Sequence, residues 1–490
     1  MDHNYYILES LLYFAISIMK RHSKLLMIGL LSSSISLACQ AAPITFQQAW
    51  QLLQENNHSL AAQRANVESQ QHMQSATSSL NLPSISIGAN YTRLDADVTV
   101  TGEQLMSNTK MPPINPALAP IAQNLLPLIG GIETTITERD VFTSSIRAIW
   151  PIFTGGRISA AQAAAEGKTD EARSQLSMET QARYEDLSKY YFSVVLAKEV
   201  LQTRQAVEQG LTQHRDFAIK LEKQGQIAHV ERLQAEASLD KAKVETRKAQ
   251  SNLDIAQSAL SKILAQNDMV EPAEGLFINQ HLPPLSAFTE QTLATYPGLD
   301  LLSAKEKQAS ALIKAEKGKY YPEVYLYGDY SLYEDDSLAS EMKPDWLVGV
   351  GVNIPLLENT GRSDKVKAAN SMVSQVQSLK AQAKEDLSVL VQKTYLEAQQ
   401  AIDEVIGLES SIRLAKENLD LREKAFNQGL STSLEVVDAQ LYRASVETQQ
   451  SAARFRYLLS LTKLLALSSE MNSFNQYQSS AYQPTQEASL

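Results

Sequence analysis

Cysteine is almost missing from this chain of 490 residues, which contains a single one, Cys39. The stretch "SLAC" resembles a lipoprotein cleavage box with the leucine displaced by one position, so lipidation at Cys39 stays open. If the chain is cut after Ala41 instead, the mature protein has no cysteine. Neither disulfide bonds nor thiol chemistry would then contribute to its fold or function.

Long hydrophobic runs are also lacking. The apolar stretch at residues 25–38 is shorter than the about 20 residues that a membrane-spanning helix needs. It follows the basic segment "MKRHSK" and precedes small residues, which is typical of a secretory signal peptide. We therefore predict that residues 1–41 are a signal peptide, with Met19 as an alternative start of translation, and that the protein is exported.

Positive charge is scarce, with 44 Lys and Arg against 55 Asp and Glu and a net charge of −11. Removing residues 1–41 deletes three basic and two acidic residues, so 41 and 53 remain and the net charge becomes −12. This acidity argues against nucleic-acid binding.

Recognisable catalytic patterns are absent as well. There is no phosphate loop or nucleophile elbow, and the histidines after residue 41 lack metal-ligand spacing: His58, His72, His214, His229 and His281. We predict no enzymatic activity, no cofactor and no metal site.

Proline is missing from two long windows, between Pro151 and Pro272 and between Pro355 and Pro484. A proline inside a helix costs about 3 kcal/mol, so both windows can be helical. A helix over residues 157–223 would be about 100 Å long at ~1.5 Å per residue. Apolar or small residues recur at sevens, as in coiled coils, at Ile412, Leu419 and Phe426, at Leu414 and Leu421, and at Ala235, Ala242, Ala249 and Ala256.

The chain repeats itself once. "NLPSISIGANY" (81–91) aligns with "YYPEVYLYGDY" (320–330), "IWPIFTGGR" with "NIPLLENTGR", and "EKQGQIAHVERLQAE" with "FNQGLSTSLEVVDAQ". Each half reads helix, strand, loop, strand, long helix, break, long helix. We predict a first repeat at residues 42–284, a second at 285–470, and a polar, disordered tail at 471–490.

Four short segments alternate like strands. In "DWLVGVGVNIPLL" (345–357), Trp346, Val348 and Val350 share one face and Gly349 and Gly351 the other. Such strands fit a membrane barrel, although a soluble sheet on a core would look the same. Four strands cannot close a barrel and lipid does not tolerate an open edge, so several copies are needed; three copies supply twelve strands. The long segment 101–140 of the first repeat is predicted to be an outer loop.

This ordered set of features resembles the TolC-like outer-membrane efflux protein family (outer membrane factors). The resemblance implies a mixed α and membrane β fold: a homotrimeric 12-stranded β-barrel, four strands per chain, continuous with a long periplasmic α-helical coiled-coil barrel. It implies a passive conduit in the outer membrane of a Gram-negative bacterium. The implied partners are a periplasmic membrane-fusion adaptor and an inner-membrane transporter, proton-driven or ABC.

The same resemblance implies that Gly225 and Gly429 mark periplasmic helix tips, where the chain reverses. The tip surface that contacts the adaptor would consist of Gly225, Gln226, Ile227, Ala228, Gly429, Leu430, Ser431 and Thr432. Family members can carry an arginine shortly after the second glycine. Because this chain has Ser431 there, the hydrogen bonds that close its gate are expected to be fewer or different.

Three acids near the tips match positions where the family places acidic rings: Glu231, Glu435 and Asp438. A trimer would bring nine carboxylates near one axis, where each like-charged contact costs about 3 kcal/mol at ~6 Å and an effective dielectric near 20. This implies a periplasmic gate with cation preference and pH-sensitive closure.

Two other functions stay open at this stage. A trimeric surface adhesin or scaffold also combines long helices with four strands per chain, but it usually groups its strands at one terminus. Within the conduit class, a type I protein-secretion duct is the alternative to a drug efflux channel. The transported substrate is not encoded in any pattern of this sequence.

Overall fold

The computed structural model describes residues 43–108 and 128–482, together with Ile121 and Leu125. The predicted signal peptide and Cys39 lie outside these residues. The first half contains α1 (Phe46–Asn56), α2 (His58–Ser78), β1 (Ser84–Arg93), β2 (Val98–Thr101), α3 (Gly102–Asn108), β3 (Glu133–Thr137), β4 (Asp140–Phe153), α4 (Arg157–Lys223) and α5 (His229–Ile263). The second half contains α6 (Leu285–Thr295), α7 (Pro297–Gly318), β5 (Glu323–Glu334), α8 (Leu338–Glu341), β6 (Trp346–Asn353), α9 (Arg362–Asn427) and α10 (Ser433–Leu467), followed by a 3-10 turn (Met471–Ser473) and α11 (Phe474–Ser479).

Both halves contain two helices, a strand of the main sheet, a second such strand and a pair of long helices, in that order, and the first half has β2, α3 and β3 in addition between its two strands. The long helix predicted over residues 157–223 is α4 itself. Helices α4 and α5 form the first hairpin, and α9 and α10 form the second. Helix α4 also packs along α10, so the two hairpins lie side by side. None of the helices in the described ranges carries an apolar stretch long enough to cross a bilayer.

Four strands form one antiparallel sheet in the order β1-β4-β5-β6. The β4–β5 pair joins the two halves of the chain. At the end of the sheet away from the helices, β2 and β3 continue as a separate two-stranded ribbon. The first part of the long segment 101–140 therefore lies beyond the sheet, opposite the hairpin tips.

The sheet has one apolar and one polar face. The apolar face, exposed in the single chain, carries Ile85, Ile87, Tyr91, Phe142, Trp150, Leu326, Trp346, Val348, Val350 and Val352. On the polar face, Arg147 pairs with Asp329 at 3.1 Å between Nε and Oδ2. Such alternation is typical of a sheet with lipid on one side and water on the other.

The two heptad rows predicted in α9 differ in burial. Leu419 and Phe426 are buried within the chain, whereas Leu414 and Leu421, which also lie seven residues apart, are exposed. The row with Leu419 and Phe426 therefore packs the two hairpins of one chain together. The row with Leu414 and Leu421 is exposed on the surface of the single chain.

The prediction of a disordered tail over residues 471–490 is wrong for residues 471–482. Phe474 is buried and its ring lies 4.6 Å from the ring of Phe46 in the largest core cluster. The backbone N–H of Tyr482 donates to the loop before α6 at 2.8 Å. Aromatic side chains in this polar segment bury enough apolar surface to offset the entropy cost of ordering it. Residues 483–490 lie outside the described part of the chain.

Candidate functional site

Both long helices end in the same turn. At the end of α4, Gly225 has φ +69° and its N–H donates to Glu222 O at 2.8 Å, while Gln226 N–H donates to Leu221 O at 2.9 Å. At the end of α9, Gly429 has φ +71° and the equivalent two bonds are present. This is the Schellman arrangement, in which glycine takes the left-handed position. A Cβ on either glycine would meet nothing within 4 Å, so glycine serves the backbone conformation and not close packing.

The two return helices start differently. Thr432 caps α10, because its side chain accepts from Glu435 N–H and the Glu435 side chain accepts from Thr432 N–H. The equivalent N-cap of α5 is Ala228, which has no side-chain cap. An alanine has no oxygen with which to build a capping box.

Glu435 is held within its own hairpin. Its Oε2 accepts hydrogen bonds from Ser431 Oγ at 2.6 Å and from Thr432 N–H at 3.0 Å, and its Oε1 lies 3.0 Å from Arg422 Nη1. The pKa of Glu435 is lowered below its usual value. The hydrogen bond from the Ser431 hydroxyl contributes most, followed by the Thr432 N–H and the positive charge of Arg422. Ser431 therefore stabilises the start of its own helix, α10, through Glu435.

Glu231 reaches across to the other hairpin. Its Oε2 accepts a hydrogen bond from Ser433 N–H at 2.7 Å. Glu231 is the third residue of α5 and Ser433 the first of α10, so an acid of one hairpin satisfies a free N–H of the other. The structure thus brings Glu231 and Glu435 to adjacent N–H groups at one helix start.

Asp438 lies one turn further along α10 and is exposed. Among the residues described, no hydrogen bond or ion pair engages its carboxylate. Asp438 and Glu435 are three residues apart and share a helix face, as expected from the sequence. Whether these acids form rings in an assembly stays a prediction.

The tip residues are mostly open to solvent. Leu430 is 77% exposed, and Gln226, Ala228 and Thr432 are also exposed. Ile227 and Ser431 are half-buried. Ile227 packs inward against a small cluster that contains Phe426 and Val436. The predicted contact surface therefore presents one large apolar side chain, Leu430, on top of each second hairpin.

His214 is a site residue that the sequence pattern did not identify. Its Nε2 lies 2.6 Å from Ser433 Oγ, and its ring lies 4.4 Å from the ring of Phe426. Its spacing in the sequence could have identified it. Buried residues of α4 recur at intervals of three and four, and His214 lies in this series: Val207, Leu211, His214, Ala218 and Leu221. A polar residue at such a core position often has a specific role in register or switching.

The family model of outer membrane efflux proteins matches residues 49–266 and 289–469, which include the four-stranded sheet and both hairpin tips. The chain therefore belongs to the outer membrane efflux protein family. This membership places it in the outer membrane with its long helices in the periplasm. It also confirms the predicted fold class of a membrane sheet continuous with long helices in two repeats, and excludes the soluble-sheet alternative.

Individual relatives are distant. Protein CyaE of Bordetella pertussis is 22% identical over 267 residues, 52% of this chain and 56% of CyaE, so the chain spans about half the length of that relative. Among solved structures, CusC is 15% identical, with 87% of this chain and 92% of CusC covered and a TM-score of 0.70. VceC of Vibrio cholerae is 13% identical, with 86% and 96% covered and a TM-score of 0.68. At these identities, the similarity is one of fold.

Proposed function

We propose that this protein is the outer-membrane exit duct of a tripartite efflux or type I secretion system, which conducts substrates passively from the periplasm to the exterior and is gated at the helix tips. The observation that carries this proposal is the two-faced sheet continuing directly into the helical hairpins. Strand β4 ends four residues before α4 begins, at Phe153 and Arg157. One chain thus supplies a wall segment in which the sheet has an apolar face for lipid and a polar face, and the helical hairpins extend that wall beyond the membrane.

A homotrimer would complete the wall. Strands β1 and β6 are the edges of the sheet in the described chain, and an open edge in lipid leaves backbone groups without hydrogen bonds. Pairing β1 of one copy with β6 of the next satisfies both edges, and three copies give twelve strands. The exposed apolar residues of α9 supply a matching helical seam: Met372, Leu379, Val389, Leu396, Leu414 and Leu421.

The hairpin tips would dock a periplasmic adaptor. Leu430 and the small tip residues offer a surface that another helical hairpin can pack against, and the inner-membrane transporter behind the adaptor would select the cargo. This assignment includes no nucleic acid, cofactor or metal. Among the residues that the structure describes, no three His, Cys, Asp or Glu side chains are grouped as a metal site.

Single-channel recording in a planar bilayer tests the proposal. The wild type is compared with a variant in which Glu231, Glu435 and Asp438 are all alanine. We expect small cation-selective steps from the wild type, and larger steps with weaker cation selectivity from the variant. Unchanged conductance and selectivity would overturn the gate, whereas silence from both inserted proteins would overturn the conduit and favour the adhesin or scaffold.

Cross-linking this protein in its native cells and purifying it with its bound partners distinguishes an efflux system from a type I secretion system. A proton-driven pump bound through an adaptor would support efflux, and an ATP-driven exporter with a cargo protein would support type I secretion.

A further inference from the structure

Ser433 belongs to the second hairpin but is held by both helices of the first. Its side chain bonds to His214 of α4 at 2.6 Å, and its backbone N–H donates to Glu231 of α5 at 2.7 Å. The residue itself has no exposed surface. The two hairpins are therefore tied together at a single buried position, four residues beyond the tip glycine Gly429.

The surroundings of His214 suit only the neutral imidazole. On one side its ring packs against Phe426, and the adjacent cluster of Ala218, Leu221, Ala235, Phe426 and Val436 is apolar. Burial lowers the pKa of His214 from 6.5 to about 4. A charge at this position would lose its hydration without gaining an ionic partner.

Six charged groups lie near His214 in sequence or near its partner Ser433: Arg215 and Asp216 on α4, Glu231 on α5, Arg422 and Glu423 on α9, and Glu435 on α10. Arg215 pairs with Asp216 at 2.7 Å, and Arg422 pairs with Glu435. Within the described ranges, none of these carboxylates forms a hydrogen bond or ion pair with the imidazole.

We propose that His214 is a proton-sensitive latch, which holds the two hairpins of one chain together while it is neutral and releases them when it is protonated. His214 acts through Ser433 as a positioning residue of the gate. The inference rests on the proposed function, since only a gated duct gives the latch a role.

The direction of the pH response follows from the two states. Separation of the hairpins would expose His214 to water, where its ordinary pKa applies, so the closed state is fully stable above that value and loses stability as the pH falls towards 4. At pH 5 the equilibrium of each chain should shift towards separated hairpins by roughly 30-fold relative to pH 8. Protonation of a carboxylate ring would do the opposite, because relief of repulsion favours closure.

Single-channel recordings between pH 8 and pH 5 test the latch in the full-length mature protein. We expect the ratio of open to closed time to rise at least about 30-fold on acidification in the wild type, because each of the three chains has its own latch, and to stay nearly constant in His214→Gln, which cannot take up a proton. His229→Gln is the matched control. His229 is an exposed tip histidine that bonds to Glu222 of the same hairpin at 2.6 Å, so its variant should follow the wild type.

Ser433→Ala provides a second, independent variant. It removes the hydroxyl and leaves the imidazole, so we expect about five-fold more opening at pH 8 with the acid response retained. An unchanged ratio in this variant, an acid response that persists in His214→Gln, or closure of the wild type on acidification would each overturn the latch while leaving a working channel. Absence of any channel in all variants would overturn the proposed function and the latch with it.

Discussion

The Glu231 carboxylate accepts a hydrogen bond from the backbone N–H of Ser433 at 2.7 Å and so links two hairpins that are 200 residues apart in the chain. Its counterpart in the repeat, Glu435, bonds instead to Thr432 within its own helix. The difference lies three residues earlier, where Ala228 stands in place of Thr432. Because Ala228 cannot start a capping box, the side chain of Glu231 is available to the other hairpin.

Replacing Glu231 with alanine should loosen the hairpins. A hydrogen bond to a charged group contributes about 1.5–3 kcal/mol, so the open-to-closed ratio at pH 8 should rise on the order of ten-fold or more. Asp438→Ala is the matched control, because it removes an equal charge from an exposed acid of the same region. Single-channel open times measure both variants, and equal effects would mean that charge, not the hydrogen bond, controls the gate.

Ala228→Thr should give α5 the cap that it lacks. The new N-cap is expected to stabilise the first turn of α5 by about 0.5–2 kcal/mol, and Thr432→Ala should destabilise the first turn of α10 by a similar amount. Amide hydrogen exchange at the two helix starts measures both effects. If exchange of the α5 amides is unchanged in Ala228→Thr, the missing cap does not explain the different behaviour of Glu231.

Gly429→Ala should destabilise the second tip through the backbone alone. An L-residue in the left-handed region costs roughly 1–2 kcal/mol, and no neighbouring atom lies where the new Cβ would be. Gly407→Ala is the contrasting control: it lies inside α9 with equal space and no positive φ, so it should stabilise the helix by about 1 kcal/mol. Limited proteolysis at the tip should accelerate only in the first variant.

Gly349→Ala should narrow the barrel. On the polar face of the sheet, Tyr327 lies across Gly349, and a Cβ there would come within 2.6 Å of the tyrosine ring. The ring would have to tilt away from the wall into the lumen. We expect lower conductance in a Glu231→Ala background, where the tips limit current less, and recovery when Tyr327→Ala is added.

Gly88→Ala controls for a general effect of alanine on the polar face, since a Cβ at Gly88 meets nothing within 4 Å. It should leave conductance unchanged. If the double variant Gly349→Ala with Tyr327→Ala conducts no better than Gly349→Ala alone, the tyrosine ring is not the obstruction.

Local patterns were sufficient for the long helices, the four strands of the main sheet and their repetition, but not for the β2–β3 ribbon, whose strand β3 lies within the segment predicted to be a loop. The absence of proline between Pro151 and Pro272 predicted the helix that became α4. Glycine at equivalent positions of both halves predicted two helix breaks, and the family resemblance implied that the chain reverses there. These features depend on backbone chemistry within a few residues, so the sequence alone carries them. The order of residues 471–482 was not predicted because the segment has few apolar residues. Phe474 nevertheless packs into the core, against residues that are distant in the sequence.

By itself, the sequence determined the four strands of the main sheet, the long helices, the glycine breaks between them and the position of the acids beside those breaks. Only the tertiary structure decided what those acids do. Glu231 and Glu435 are equivalent in sequence, yet one binds the opposite hairpin and the other its own helix, and His214 meets Ser433 across 219 residues of chain. Hydrogen-bond partners depend on distances between packed helices, and a one-dimensional pattern does not contain those distances.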